Sequence, residues 1–114
     1  MEDCIFCKII KGEIACNKVY ESESALAFED IEPMAPVHVI VVPKKHVSTL
    51  MDIGSDDSKI TAGLLSAVQE VARIKHIDQS GFRMVINCNE DGGQIVFHLH
   101  IHVLGGKKLK DALG

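Results

Sequence analysis

The sequence has no tryptophan, four phenylalanines and one tyrosine, so any core it builds must be mainly aliphatic. It has only three prolines, and it carries no internal repeat, low-complexity tract or Pro/Ser-rich linker at which to divide it. A single domain over residues 1–114 is therefore expected, a size at which a core can form without disulfide staples. A surplus of positive charge is also missing: 12 Lys and Arg against 16 Asp and Glu leave a formal net charge of −4. That makes a nucleic-acid polymer a poor partner, because such binding relies on many cations neutralising phosphates. It does not exclude a single nucleotide, which a few local donors can hold. No apolar run approaches the roughly 20 residues of a membrane-spanning helix. Glu2 and Asp3 stand where a secretory signal would be basic. A cytoplasmic protein with no membrane partner is expected.

Four cysteines are present, and in a reducing compartment they are not expected to form disulfides. Cys4-Ile5-Phe6-Cys7 has the two-residue gap of a metal-binding or redox pair. Cys16 and Cys88 stand alone and read as small buried hydrophobes.

Periodicity predicts a short helix over Asp3–Lys11, where Ile5, Phe6, Ile9 and Ile10 recur at helical spacing before Gly12. Strands are expected at Lys18–Glu21 and Ala25–Asp30, followed by a proline-stiffened loop through Pro36. The β-branched run Val37–Val42 reads as a third strand. Ser55 is the expected cap of a long helix with Asp56 and Asp57 in its first turn. Its apolar stripe is Ile60, Leu64, Val68, Val71 and Ile74, and it should end between Lys75 and Asp78. Phe82–Asn87 and Val96–Leu104 are the last two strands, separated by an Asp91-Gly92-Gly93 turn. Short connections favour an antiparallel sheet of about five strands, with the helices to one side, an α+β fold.

The densest signal is His98-Leu99-His100-Ile101-His102. Histidines at i, i+2 and i+4 of a strand point to one face, about 6.5–7 Å apart, while the residues between them face the core. Desolvating three rings side by side is costly unless they have work to do. Two chemistries suit them: a metal held by neighbouring rings, or attack by one imidazole with its neighbours orienting it and carrying protons. Neutral imidazole is abundant near pH 7, and it becomes a nucleophile when its other nitrogen donates to a fixed acceptor. Asn87 and the Asp91-Gly92-Gly93-Gln94 turn lie just upstream, where glycines let backbone N–H groups approach an anion. Together these tilt the reading toward phosphoryl chemistry.

His98-Leu99-His100-Ile101-His102-Val103-Leu104 resembles the signature of the histidine triad (HIT) family. The likeness extends through Ile5-Phe6, Ala27-Phe28-Glu29-Asp30-Ile31, Pro36 with His38, Pro43-Lys44-Lys45-His46, Asn87, Gly92-Gly93-Gln94 and Leu104-Gly105-Gly106. It points to the Hint branch and implies a homodimer joined through a continuous sheet. It also implies hydrolysis of purine nucleoside 5′-phosphoramidates, adenylate–amine conjugates, through a nucleotidyl-histidine. On that resemblance His100 is the nucleophile, His98 orients it through its main-chain carbonyl, and His38 supports them. His102 contacts the phosphate or leaving group. Ile5, Phe6, Ile9, Phe28, Ile31 and Ile40 wall the base pocket, Asp30 meets the ribose, and Asn87, Gly93, Gln94, Ile95 and Val96 follow the phosphate. Many Hint-branch members carry Ser or Thr after the Gln; Ile95 stands there instead and offers only its backbone N–H. The C-terminus, at Leu113-Gly114, also lacks the longer tail that shapes leaving-group preference in animal members.

The resemblance further implies a bacterial-type zinc site, with His46 and His98 completing Cys4 and Cys7 as a closed, structural set. No organic cofactor is implied. Three other readings stay open at this point: a dinucleoside polyphosphate hydrolase, a zinc-stabilised nucleotide-binding module with little turnover, and a metal-dependent hydrolase built on the three histidines.

Overall fold

The computed structural model describes residues 3–112. The expected domain limits at 1 and 114, the Glu2 of the opening and the terminal Leu113-Gly114 lie outside the described residues. A short helix α1 (Ile5–Ile10) is followed by strands β1 (Lys18–Glu21), β2 (Ala25–Glu29) and β3 (Val37–Pro43). Two tight turns of 3-10 helix, Leu50–Asp52 and Ser55–Asp57, lead into the long helix α2 (Ser58–Ile74). Strands β4 (Phe82–Val85) and β5 (Ile101–Gly105) complete one antiparallel sheet in the order β1-β2-β3-β5-β4. This is the α+β architecture expected from the sequence.

Helices cover both faces of the sheet, not one side as expected, because α1 packs through Phe6 on the face opposite α2, and β2 and β3 accordingly read as nearly unbroken apolar runs. On one face Ala25, Ala27, Val39, Val41, Ile101 and Val103 pack under Leu64, Ala67, Val68 and Val71 of α2. On the other, Leu26, Phe28, Ile40 and Val42 pack with Phe6 of α1. Fully burying a Val, Leu, Ile or Phe side chain among these is worth about 1.5–3 kcal/mol. The buried residues of the first core are all aliphatic, with Tyr20 packed at its margin; the second admits two of the four phenylalanines.

Several boundaries and one core position differ from expectation. The last strand begins at Ile101 instead of Val96, because its partner β3 ends at Pro43, which has no N–H to extend the ladder. Residues upstream bond elsewhere: Leu99 N–H donates to Val47 O at 2.6 Å. Strand β4 stops at Val85, before Asn87. Helix α2 begins at Ser58, not after Ser55, because the Asp57 carboxylate accepts from Gly54 N–H at 2.9 Å and tightens the preceding turn. Ile74 is 46% exposed, its expected core place being taken by Ile77, which is 3% exposed.

Candidate functional site

The alternation of the histidine segment survives although most of it lies outside the ladder. Leu99, Ile101 and Val103 enter the core beneath α2. His98, His100 and His102 face the other way, where the edge of the Phe6 ring meets His98 and His100, with ring centroids 5.9 and 5.0 Å away.

Hydrogen bonds fix the tautomer of each ring, and His100 differs from the other three. His98 Nε2–H donates to Pro43 O at 2.8 Å, leaving Nδ1 as a lone pair. His100 Nδ1–H donates to His98 O at 2.7 Å, leaving Nε2 as a lone pair. His38 Nδ1 accepts from Met34 N–H at 3.0 Å, so its proton sits on Nε2, 2.9 Å from His102 Nδ1. His102 then carries its own proton on Nε2. The Asp30 carboxylate lies 3.3 Å from His38 Nε2, and its other oxygen accepts from Glu32 N–H.

Burial disfavours the charged forms of His102, His98 and His38. It pushes the His102 pKa down to about 4, helped by His100 and His38 and opposed by Asp30. Burial also lowers His98, against the stabilising pull of Pro43 O on its charged form. It lowers His38 too, against the Asp30 carboxylate.

Among the described residues, two groups have donor atoms close enough to hold a metal ion. The first is Cys4, Cys7, His46 and His98. His98 Nδ1 lies 3.2 Å from Cys4 Sγ, 3.5 Å from Cys7 Sγ and 3.2 Å from His46 Nδ1, and His46 Nδ1 lies 3.3 Å from Cys7 Sγ. A tetrahedron with ordinary zinc–sulfur and zinc–nitrogen bonds has edges of roughly 3.3–3.8 Å, so this donor set fits a metal closely. Burial and the Cys4 thiol raise the Cys7 pKa, so a bound cation would have to displace its proton. The second group, Asp30, His38 and His102, is a hydrogen-bonded chain whose His38 and His102 nitrogens are already committed. The three histidines of the run therefore do not converge on one ion.

Of the residues expected at the base pocket, Ile5, Phe6, Ile9, Phe28, Asp30, Ile31 and Ile40 all line one cleft of about 410 Å³. Ile31 is 93% exposed at its rim. Asn87, Gly93, Gln94, Ile95 and Val96 do not line it. Ile95 and Val96 instead face a separate cleft of about 390 Å³ beside Cys4, His46 and Phe97. Asn87 Nδ2 donates to Gly92 O at 2.7 Å, closing the turn. Gly92 in that turn tolerates no side chain, since a Cβ would fall 2.5 Å from Cys88 O, and Gly93 has φ +79°. Gln94 is buried and its amide is fully occupied: Oε1 accepts from Asn89 N–H, and Nε2 donates to Ser48 O and Val96 O. It ties the glycine turn to the segment after His46. Sequence reasoning missed the Ile14–Asn17 stretch on the apolar cleft; its only signal was three apolar residues in an otherwise polar connection. Cys16, expected to be buried, is half-exposed on that wall, and Cys88 is also only partly buried.

The family model described as the HIT domain matches residues 11–109. The chain is 43% identical over 109 residues to an uncharacterised HIT-like protein of Buchnera aphidicola, covering 96% of each chain. The fold is similar to a HIT family hydrolase from Legionella pneumophila, with TM-score 0.94 and 42% identity over 98% of this chain and 100% of that one. It is also similar to a histidine triad nucleotide-binding protein from Candida albicans, with TM-score 0.81 and 31% identity over 98% of this chain and 87% of that one.

Proposed function

The chain belongs to the HIT domain family, and from that premise we propose that it hydrolyses purine nucleoside 5′-phosphoramidates through a nucleotide held covalently on His100. The observation that carries this reading is the 2.7 Å hydrogen bond from His100 Nδ1–H to His98 O, which turns the Nε2 lone pair into the free end of the ring. A carbonyl acceptor fixes the tautomer without adding charge and leaves the Nε2 lone pair available for attack. The apolar cleft beside Phe6 and Phe28 suits a purine, and Asp30 at its edge suits ribose hydroxyls. The Legionella and Candida proteins, described respectively as a hydrolase and as nucleotide-binding, support the same class of chemistry.

In the first step His100 Nε2 attacks phosphorus, a P–N bond forms to the imidazole, and the P–N bond to the amine breaks. His102 meets the phosphoryl group as a neutral Nε2–H donor, its orientation set by His38. The departing nitrogen takes a proton from solvent while His102 Nε2–H stays on the phosphoryl oxygen, and the water that attacks in the second step returns a proton to solvent, so the two steps balance. Water then attacks phosphorus, releasing AMP and free His100.

Cys4, Cys7, His46 and His98 would hold a zinc ion as a closed set without an open position. The ion would supply cross-linking of α1 to the His98 segment, not chemistry at phosphorus. A second copy of the chain is the proposed partner: β4 is an edge strand, and its neighbourhood exposes Phe82, Met84 and Ile86. Light scattering at micromolar concentration should give twice the chain mass.

The deciding experiment is turnover of adenosine 5′-phosphoramidate by metal-loaded wild type and by His100→Ala. AMP release by the wild type, with a transient adduct of one AMP mapped to His100 and both absent in the variant, supports the reading. Equal turnover by the variant overturns it.

A further inference from the structure

The metal cluster and the nucleophile meet in one residue. His98 turns its Nδ1 lone pair toward Cys4 and Cys7 while its main-chain oxygen holds His100 Nδ1–H. Anything that alters the two sulfurs therefore acts one residue away from the hydrogen bond that orients His100.

The sulfurs are arranged for such a change. Cys4 sits immediately before α1 and Cys7 in its first turn, and Cys7 N–H donates to Cys4 Sγ at 3.3 Å. All four donor atoms of the cluster lie within 4.8 Å of one another, so no side chain separates the thiols. Their exposure is unequal: Cys4 is partly exposed and opens onto the 390 Å³ cleft with Ile95 and Phe97, whereas Cys7 is buried. An accessible sulfur beside a buried one is the arrangement in which an oxidant reaches the first and the second resolves it. Cys16 and Cys88 do not belong to this group.

We propose that Cys4 and Cys7 form a redox modification site whose oxidation by a hydroperoxide switches off the histidine beside it. Cys4 sulfur attacks the peroxide O–O bond, taking one oxygen as a sulfenic acid and releasing water or an alcohol. Cys7 sulfur attacks Cys4 sulfur, the S–O bond breaks, and the hydroxyl leaves as water. Two thiols are oxidised by two electrons and one peroxide is reduced. The disulfide has no thiolates left to bind a metal ion, so the ion is released, and His98 Nδ1 loses the partners that held its ring. The switching of His100 rests on the reading of that residue as nucleophile; disulfide formation and metal release do not.

The test uses the full wild-type chain, reduced and loaded with zinc, and titrates it with hydrogen peroxide. Four readouts are followed: a peptide map for the bridge, chelator dye for released zinc, kcat and KM for adenosine 5′-phosphoramidate, and the NMR signal of the His100 ring N–H. One bridge between Cys4 and Cys7 and one zinc released per chain are expected. The kcat should fall about 10–100-fold with KM little changed, the His100 ring signal should be lost, and dithiothreitol with zinc should restore all four. Bridging through Cys16 or Cys88, a Cys4–Cys7 bridge with zinc retained, or a bridge that leaves the His100 signal unchanged would each overturn the proposal. If the reduced protein has no turnover at all, the reading of the reaction fails, while the bridge, the zinc and the ring signal still decide the switch.

Discussion

The two faces of the sheet share one backbone and do opposite work. Through residues 98–103, alternate side chains go to a dry aliphatic core under α2 and to a face of imidazoles. The α2 face is held by dispersion and exclusion of water, which are tolerant of chemistry but not of lost volume. The histidine face is held by directed hydrogen bonds to Pro43 O and His98 O and from Met34 N–H, where a shape-preserving change can remove the function. Stability and activity are thus expected to separate face by face.

The sharpest contrast is between neighbours. His100→Ala should reduce turnover by roughly 10³-fold or more while moving the melting temperature little. Ile101→Ala should cost about 2–5 kcal/mol in urea unfolding, with kcat per folded molecule unchanged. If Ile101→Ala lowers kcat as much as His100→Ala, the two faces are not independent.

Acid should break the histidine face first. Unfolded, an imidazole takes up a proton near pH 6.5, whereas folded His102 holds out to about 4. Between these values the unfolded chain binds the extra proton, so stability is full above pH 6.5 and falls as pH drops toward 4. At about 1.4 kcal/mol per unit, His102 alone accounts for on the order of 3 kcal/mol at the acid limit. His38 and His98, also lowered, act in the same direction. Urea unfolding of metal-free protein at pH 7 and pH 4.5 checks this; unchanged stability would mean that the rings are not buried neutral.

Removing the metal should lower the melting temperature by at least about 5 °C, the shift that roughly 1 kcal/mol produces in a domain of this size. Zinc should restore it. The smallest effect is expected at Ile74→Ala, within about 0.5 kcal/mol of wild type because that side chain is half-exposed. A loss like that of Ile101→Ala would show Ile74 to be covered in solution.

Much of this was legible in the residues. The order of elements, the antiparallel sheet and the α2 stripe followed from periodicity, because burial of one face imposes a period of 2 or 3.6 on the chain. Boundaries were less legible, since they depend on partners: the last strand shortens because the facing strand ends in Pro43, and Ile77 displaces Ile74 from the core. Around the site, the apolar wall was readable by residue type. The occupation of the Gln94 amide by Ser48 O and Val96 O was not, because an amide has the same sequence signature whether it faces a ligand or a backbone.

The sequence by itself determined that three imidazoles share one side of an extended segment and that two thiols sit a helical turn apart, because both follow from local backbone repeat. Only the tertiary structure decided that these similar rings differ. His98 turns to the thiols and His102 is locked to His38 because their partners arrive from other parts of the chain, whereas His100 is held locally by His98 O and keeps a free nitrogen. Proton position on an imidazole is set by the acceptor it meets, and for His98 and His102 that partner lies 55 and 64 residues away.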